Sequence, residues 1–155
     1  MSKKFLMRVF TFVITVSMMF SSLVDVFAIG VESPPQITSD CNVRYEGEYY
    51  SKDEVATYLH KFGKLPRNYI TKVQAKRLGW DSGKGNLWKV SNRKCIGGDI
   101  FTNYQELVPQ KGGRKWFECD VNYRGGFRGK SRLIYSDDGL IYYTNNHYKT
   151  VIRIY

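Results

Sequence analysis

The pattern of apolar residues changes character near residue 95, and that change leaves few architectures open to the chain. Before it, two stretches carry helix-starting signatures. Ser51-Lys52-Asp53-Glu54 is a capping box, in which Ser51 caps the first turn and Glu54 reaches back. Val55, Tyr58, Leu59 and Phe62 follow at helical spacing, and Gly63 supplies a left-handed stop. The spacing predicts a helix over 51–62 with one buried face. Thr71-Lys72-Val73-Gln74 repeats the pattern for a second helix ending near Gly79, and Asn86 is placed to cap a short third one. Beyond the change, Cys95 to Phe101 reads as a strand interrupted by glycines. Lys115 to Val121 alternates, with Trp116, Glu118 and Asp120 on one face and Phe117, Cys119 and Val121 on the other. Lys130 to Tyr135 and Gly139 to Thr144 form a hairpin through Ser136-Asp137-Asp138, and Val151 to Tyr155 makes a last short strand. Helices first and antiparallel strands after predict an α+β domain, its N-terminal helices packed on a C-terminal antiparallel sheet.

The ends of the 155-residue chain set its compartment. Lys3, Lys4 and Arg8 precede an uncharged, largely apolar run from Val9 to Phe20, and Val26-Phe27-Ala28 offers small residues at a signal-peptidase site. The run is shorter than the roughly 20 apolar residues a membrane span needs. Residues 1–28 are therefore expected to be a secretory signal peptide. Residues 29–48, with Pro34-Pro35 and no helical period, are expected to be a flexible tail or propeptide, and residues 49–155 the folded domain. No later segment is long and apolar enough to cross a bilayer. Removing the leader takes three of 24 basic and one of 14 acidic residues, leaving a net charge of +8. A secreted chain this basic favours polyanionic partners.

Within that charge, Glu118, Arg128, Arg132 and His147 stand together in the last 40 residues. A carboxylate, two guanidiniums and an imidazole are the parts that cleave a phosphodiester without a metal or other cofactor: one group takes a proton, one gives it, and the arginines hold the phosphate. The strand alternation puts Glu118 and Asp120 on the face opposite Phe117, Cys119 and Val121, the wet side if those three face the core. Asp120, a carboxylate among arginines, is expected to stay ionised and to fix Arg128 and Arg132. Lys72 in a helix's first turn is mildly unfavourable alone but suits an anionic ligand. Mixed charges on a sheet face also describe an ordinary ladder of surface ion pairs. The three cysteines, Cys41, Cys95 and Cys119, match no zinc spacing.

These residues lie within a longer ordered set: Lys64-Leu65-Pro66, Asn68-Tyr69-Ile70-Thr71-Lys72, Leu78-Gly79-Trp80, Lys84-Gly85-Asn86-Leu87 and Ile96-Gly97-Gly98-Asp99-Ile100-Phe101. The set continues through Gly113-Arg114, Trp116, Glu118, Asp120, Asn122-Tyr123, Gly126-Phe127-Arg128, Arg132, Leu140-Ile141-Tyr142 and His147-Tyr148. From about Ser51 to the C-terminus the chain resembles the secreted microbial ribonucleases of the barnase type. The resemblance implies the microbial ribonuclease fold and a monomeric, extracellular, metal-independent endoribonuclease acting on single-stranded RNA. It implies Glu118 as general base, His147 as general acid, Arg128 and Arg132 as phosphate ligands, and Lys72 as a stabiliser of the transition state. Tyr148 would line the site, and Asp99 and Asp120 would hold the cations. A small acidic inhibitor protein of the barstar type is the implied partner. A module on the same fold that binds RNA or another polyanion with weak catalysis is the alternative.

The chain departs from that family at the base-recognition loop. Where the family usually reads Ser-Asn-Arg-Glu after a phenylalanine, this chain has Phe101-Thr102-Asn103-Tyr104-Gln105-Glu106. All six are expected near the base, with Tyr104 stacking on it and backbone amides reading guanine. Glutamine takes the place of the guanine-binding glutamate unless the loop slips by one residue to present Glu106. Lys130 stands where a small polar residue is common and is expected to add charge beside the phosphates. Cys119 is expected to be a buried thiol, and a disulfide, if one forms, to join Cys41 to Cys95.

Overall fold

A computed structural model describes residues 41–155; the expected signal peptide and the first part of the expected tail lie outside the described residues. Helix α1 spans Lys52–Phe62. Its capping box is formed in both directions, and Gly63, at φ 66°, ends it by donating its backbone N–H to the Leu59 carbonyl. Val55, Ala56 and Leu59 bury one face of α1 against Cys119, Val121, Leu133 and Ile141 of the sheet. Each fully buried aliphatic side chain of this kind contributes about 1.5–3 kcal/mol relative to exposure.

Two more short helices follow, α2 over Lys72–Arg77 and α3 over Leu87–Ser91. Thr71 caps α2 through a second complete capping box. Asn86 does not cap α3. Its amide instead closes the preceding loop, accepting from the Asp81 N–H at 2.9 Å and donating to the Gly79 carbonyl at 3.0 Å.

The strands are β1 Tyr69–Ile70, β2 Cys95–Ile100, β3 Trp116–Asp120, β4 Arg132–Ser136, β5 Ile141–Thr144 and β6 Ile152–Arg153. They lie in sequence order across one sheet. All neighbours are antiparallel except β1 and β2, which run parallel. The parallel edge is absent from the sequence reading because two residues carry no period. The glycines of β2 serve two purposes. A Cβ on Gly97 would lie 2.6 Å from the Cβ of Cys119, so only glycine lets the strands and Tyr69 close up. Gly98, at φ 88°, sits at a register shift that brings Asp99 opposite Glu118.

Part of the expected tail is folded. Val43 is buried, its carbonyl accepts from Lys61 Nζ at 3.2 Å, and the Tyr58 hydroxyl donates to the Tyr45 carbonyl at 2.7 Å. Tyr49 exchanges hydrogen bonds with the buried Asn68 amide. Residues from Val43 onward therefore pack on α1 and Asn68. This segment packs through spaced aromatic side chains and carbonyls, which leave no helical or strand period to read.

Cys95 carries no disulfide, so the Cys41–Cys95 pairing expected if one formed is not present. Cys95 lies instead in the apolar cluster with Ala75, Trp80, Leu87, Ile96 and Tyr123. Burial pushes its thiol up to about 12, and burial likewise raises that of Cys119, so neither is a reactive thiolate.

Candidate active site

The face of β3 that carries Trp116, Glu118 and Asp120 is not uniformly wet. At the Trp116 end it is closed by an apolar cluster of Trp116, Val108 and Ile134, with Phe101 and Tyr148 packed against it. At the other end the register sets Glu118 beside Ile134, and Asp120 beside Arg132. The face expected to be the wet side is thus partly covered: the charged residues sit at the edge of the covered region, and Asp120 and Arg132 are buried.

Burial of those charges works because they are matched. The Asp120 carboxylate accepts from Arg128 Nε and Nη2, both at 2.7 Å, in a two-pronged pair. Arg132 Nε approaches the same carboxylate at 2.8 Å as an ion pair, without the alignment of a hydrogen bond. Arg132 Nη1 donates to the Gly129 and Ser131 carbonyls, both at 2.8 Å. One carboxylate between two guanidiniums leaves the cluster with a net positive charge. Arg128 stays cationic: burial lowers its pKa, but hydrogen bonding and charge from Asp120 outweigh that and raise it.

Glu118 has a different setting. Its Oε1 pairs with Lys72 Nζ at 2.5 Å, and its Oε2 accepts from the Tyr148 hydroxyl. Burial pushes the Glu118 carboxyl up, yet the bonds from Lys72 and Tyr148, with the charges of Lys72 and Arg132, hold it below the usual glutamate range. Glu118 is thus an ionised carboxylate with little exposure. Asp99 contributes in a way the sequence does not suggest. Its carboxylate accepts from the backbone N–H of Lys72 at 3.0 and 3.3 Å, and so anchors the start of α2, not the lysine's ammonium. That bond satisfies a first-turn donor that the helix cannot pair itself.

His147 lies in the loop after β5. His147 and Tyr148 both adopt left-handed backbone angles, φ 57° and 68°. Two such non-glycine residues in a row cost about 1–3 kcal/mol each and persist only when their surroundings hold them. Here the Tyr148 N–H donates to Thr144 Oγ1 at 3.1 Å, the Thr150 N–H to Asn146 Oδ1 at 3.0 Å, and the His147 N–H to the Lys130 carbonyl at 3.2 Å. The loop turns the His147 ring into a cleft of about 400 Å³ shared with Trp80, Phe127, Arg128, Lys130 and Arg132. The exposed Lys130 lines the same cleft as the two arginines. Trp80 and Phe127 form walls that the reading of charged residues missed; their only signal was their place in the Leu78-Gly79-Trp80 and Gly126-Phe127-Arg128 motifs.

The 101–106 segment is a turn beside this site. Phe101 packs on Tyr148, with ring centroids 5.4 Å apart. The Glu106 N–H donates to the Asn103 carbonyl at 2.9 Å, which puts Tyr104 and Gln105 at the apex. Thr102, Tyr104, Gln105 and Glu106 are exposed, Tyr104 by 89%. Asn103 is buried, and its amide is committed to both backbone groups of Val108, at 2.7 and 3.2 Å. It therefore shapes the loop from inside and offers RNA no free side-chain group. Without a slip, the apex presents glutamine and not Glu106.

The comparisons with known proteins point the same way. A family model described as ribonuclease matches residues 52–155. The chain is 50% identical over 119 residues to a ribonuclease of Bacillus intermedius and equally to one of Bacillus pumilus, covering 77% of this chain and 72% of each relative. It is 53% identical over 102 residues to a ribonuclease of Heyndrickxia coagulans, covering 66% of this chain and 94% of that protein. With its α+β fold, the chain belongs to the barnase-type microbial ribonucleases and is an endoribonuclease.

Proposed function

We propose that the enzyme cleaves single-stranded RNA on the 3′ side of guanosine without a metal ion, by transphosphorylation and then hydrolysis. Glu118 takes the proton of the ribose 2′-hydroxyl, and the 2′-oxygen attacks phosphorus. His147 gives a proton to the departing 5′-oxygen, leaving a 2′,3′-cyclic phosphate. In the second step His147 takes a proton from water, the hydroxide opens the ring, and Glu118 returns its proton to the 2′-oxygen. Arg128 and Arg132 hold the non-bridging oxygens, and Lys72 steadies the charge that develops on them. DNA lacks the 2′-hydroxyl that starts the sequence.

The observation that carries this reading is the contrast in the two carboxylates of β3. Asp120 is enclosed by two arginines, whereas Glu118 is ionised and, among the described residues, its carboxylate is bonded to Lys72 and Tyr148. Both Glu118 oxygens are occupied at rest, so one partner gives way when RNA arrives. Lys72, whose side chain is the more exposed member of its pair, turns from Glu118 to the phosphate.

Tyr104 stacks on the base while turn amides and Gln105 read the guanine edge, with Thr102, Glu106 and Phe101 completing the pocket. Lys130 adds electrostatic attraction for RNA. Residues 1–28 direct export, and the secreted form acts as a monomer. A small acidic inhibitor would protect the producing cell by covering Lys72, Arg128 and Arg132, an electrostatic match that speeds association. Failure of such an inhibitor to bind at low salt would remove that part of the proposal.

The test is cleavage of GpA, ApA, UpA and CpA in EDTA. Fast GpA turnover through a cyclic phosphate supports the whole reading. Equal turnover of all four keeps the mechanism and removes the guanine preference. No turnover leaves the module that only binds RNA.

A further inference from the structure

Arg114 and Asp138 lie outside the cleft, yet they form a highly connected polar group. Arg114 precedes β3, and its side chain is 10% exposed. Its Nε lies 2.9 Å from both Asp138 oxygens and its Nη2 lies 2.8 Å from Oδ2. Its Nη1 donates to the Pro109 carbonyl at 2.9 Å, and its guanidinium lies over the Trp116 ring, 5.5 Å from the centroid. Asp138 sits in the turn between β4 and β5 and is held there by Ser136 Oγ at 2.6 Å. The same turn is tied to the start of β3 by two bonds between Asp137 and the Lys115 backbone.

From Pro109 the connection continues inward. The neighbouring Val108 is buried against Trp116 and Ile134, and both its backbone groups are taken by the Asn103 amide. Asn103 in turn closes the Tyr104–Gln105 apex through its carbonyl. An unbroken run of bonds thus links the β4–β5 turn to the base-recognition turn. Isolated surface ion pairs contribute little. This one is two-pronged, has a third bond to a loop carbonyl, and is backed by a buried aromatic ring.

We propose that Arg114 and Asp138 are positioning residues for base selectivity, holding the 101–108 loop from behind while taking no part in the chemistry. The inference rests on the reading of the Tyr104–Gln105 turn as the base site.

The experiment measures kcat and KM on GpA and ApA for the full enzyme, Asp138→Asn and Arg114→Lys, with thermal unfolding as a fold control. Arg114→Lys keeps the charge and the stem over Trp116 but loses the fork. It keeps the test readable if Asp138→Asn does not fold. The expected result is a fall of about tenfold in the GpA/ApA ratio, the scale of one misplaced polar contact, carried by KM for GpA with kcat on ApA unchanged. Loss of GpA and ApA turnover by one common factor would assign the pair to stability alone and overturn the inference, as would an unchanged ratio in folded variants. Equal GpA and ApA rates in the unaltered enzyme would overturn the base-site reading and this inference together.

Discussion

The charged face of β3 and β4 and the turn at 103–106 solve opposite problems. On the face, Asp120 and Arg132 are almost wholly buried, 1% and 4% exposed, and Asp120 is matched by two guanidiniums, Arg132 at the start of β4 and Arg128 in the loop before it. At the turn, Tyr104 is 89% exposed, and in the proposed function a base is what it packs against. The contrast separates what must be held from what must be offered. Phosphate charge and proton transfer tolerate little displacement, so their groups are fixed by neighbours that would be left as unpaired charges if anything moved. The proposed base site consists of exposed side chains on a well-closed turn, where substitution costs the fold little.

The two regions should respond differently to substitution. His147→Ala removes an exposed side chain and is expected to lower kcat by about 10²–10⁴-fold. Its unfolding free energy should stay within about 0.5 kcal/mol of the parent, because the loop is held through backbone and neighbours. Steady-state kinetics beside urea unfolding checks both halves, and a large stability loss would break the distinction. Asp120→Ala should do the reverse, destabilising the fold by about 3–5 kcal/mol by leaving Arg128 and Arg132 unpaired in a buried place. A urea midpoint close to the parent's would mean that those charges are not truly buried.

Tyr148→Phe sharpens the account of Glu118. The hydroxyl helps hold that carboxyl below its usual range, so its removal should move the acid limb of the kcat/KM profile to higher pH. The sign follows from linkage. A depressed carboxyl contributes stability above its unfolded pKa and loses it as pH falls through the lower folded value. Asp138, held down to about 2 by its bonds to Arg114 and Ser136, should likewise keep its contribution until the pH falls from about 4 toward 2. The smallest effects on stability belong to the turn. Tyr104→Ala and Gln105→Ala should leave stability within about 0.5 kcal/mol while raising KM for GpA. Gln105→Glu, which returns a carboxylate to the apex, should raise the GpA/ApA ratio by about tenfold or more.

How far the sequence reveals this molecule follows the same divide between local and long-range causes. The two capping boxes and Gly63 are local, and α1 and α2 start where they imply. The alternation from Trp116 to Asp120 correctly separates the Cys119 face from the Glu118 face. By contrast, the parallel β1–β2 pair is two residues long, and the segment from Val43 is held by α1 and Asn68, distant partners without a local period. Charge composition favours a wet surface for Asp120 and Arg132, and only their pairing across strands accounts for their burial. Asp99 bonding the backbone of Lys72 needs the bulge at Gly98, and the role of Asn86 in its own loop mimics a helix cap in sequence.

The most direct test of the central claim compares the parent with Glu118→Ala in two respects: production of cyclic phosphate from GpA in EDTA, and affinity for an uncleavable 2′-deoxy oligonucleotide. The account predicts a loss of turnover of about 10²–10⁴-fold with affinity largely kept, because Arg128 and Arg132, held in place by Asp120, still bind the phosphate without Glu118. Turnover that survives the substitution, or turnover and affinity that fall together, would contradict it.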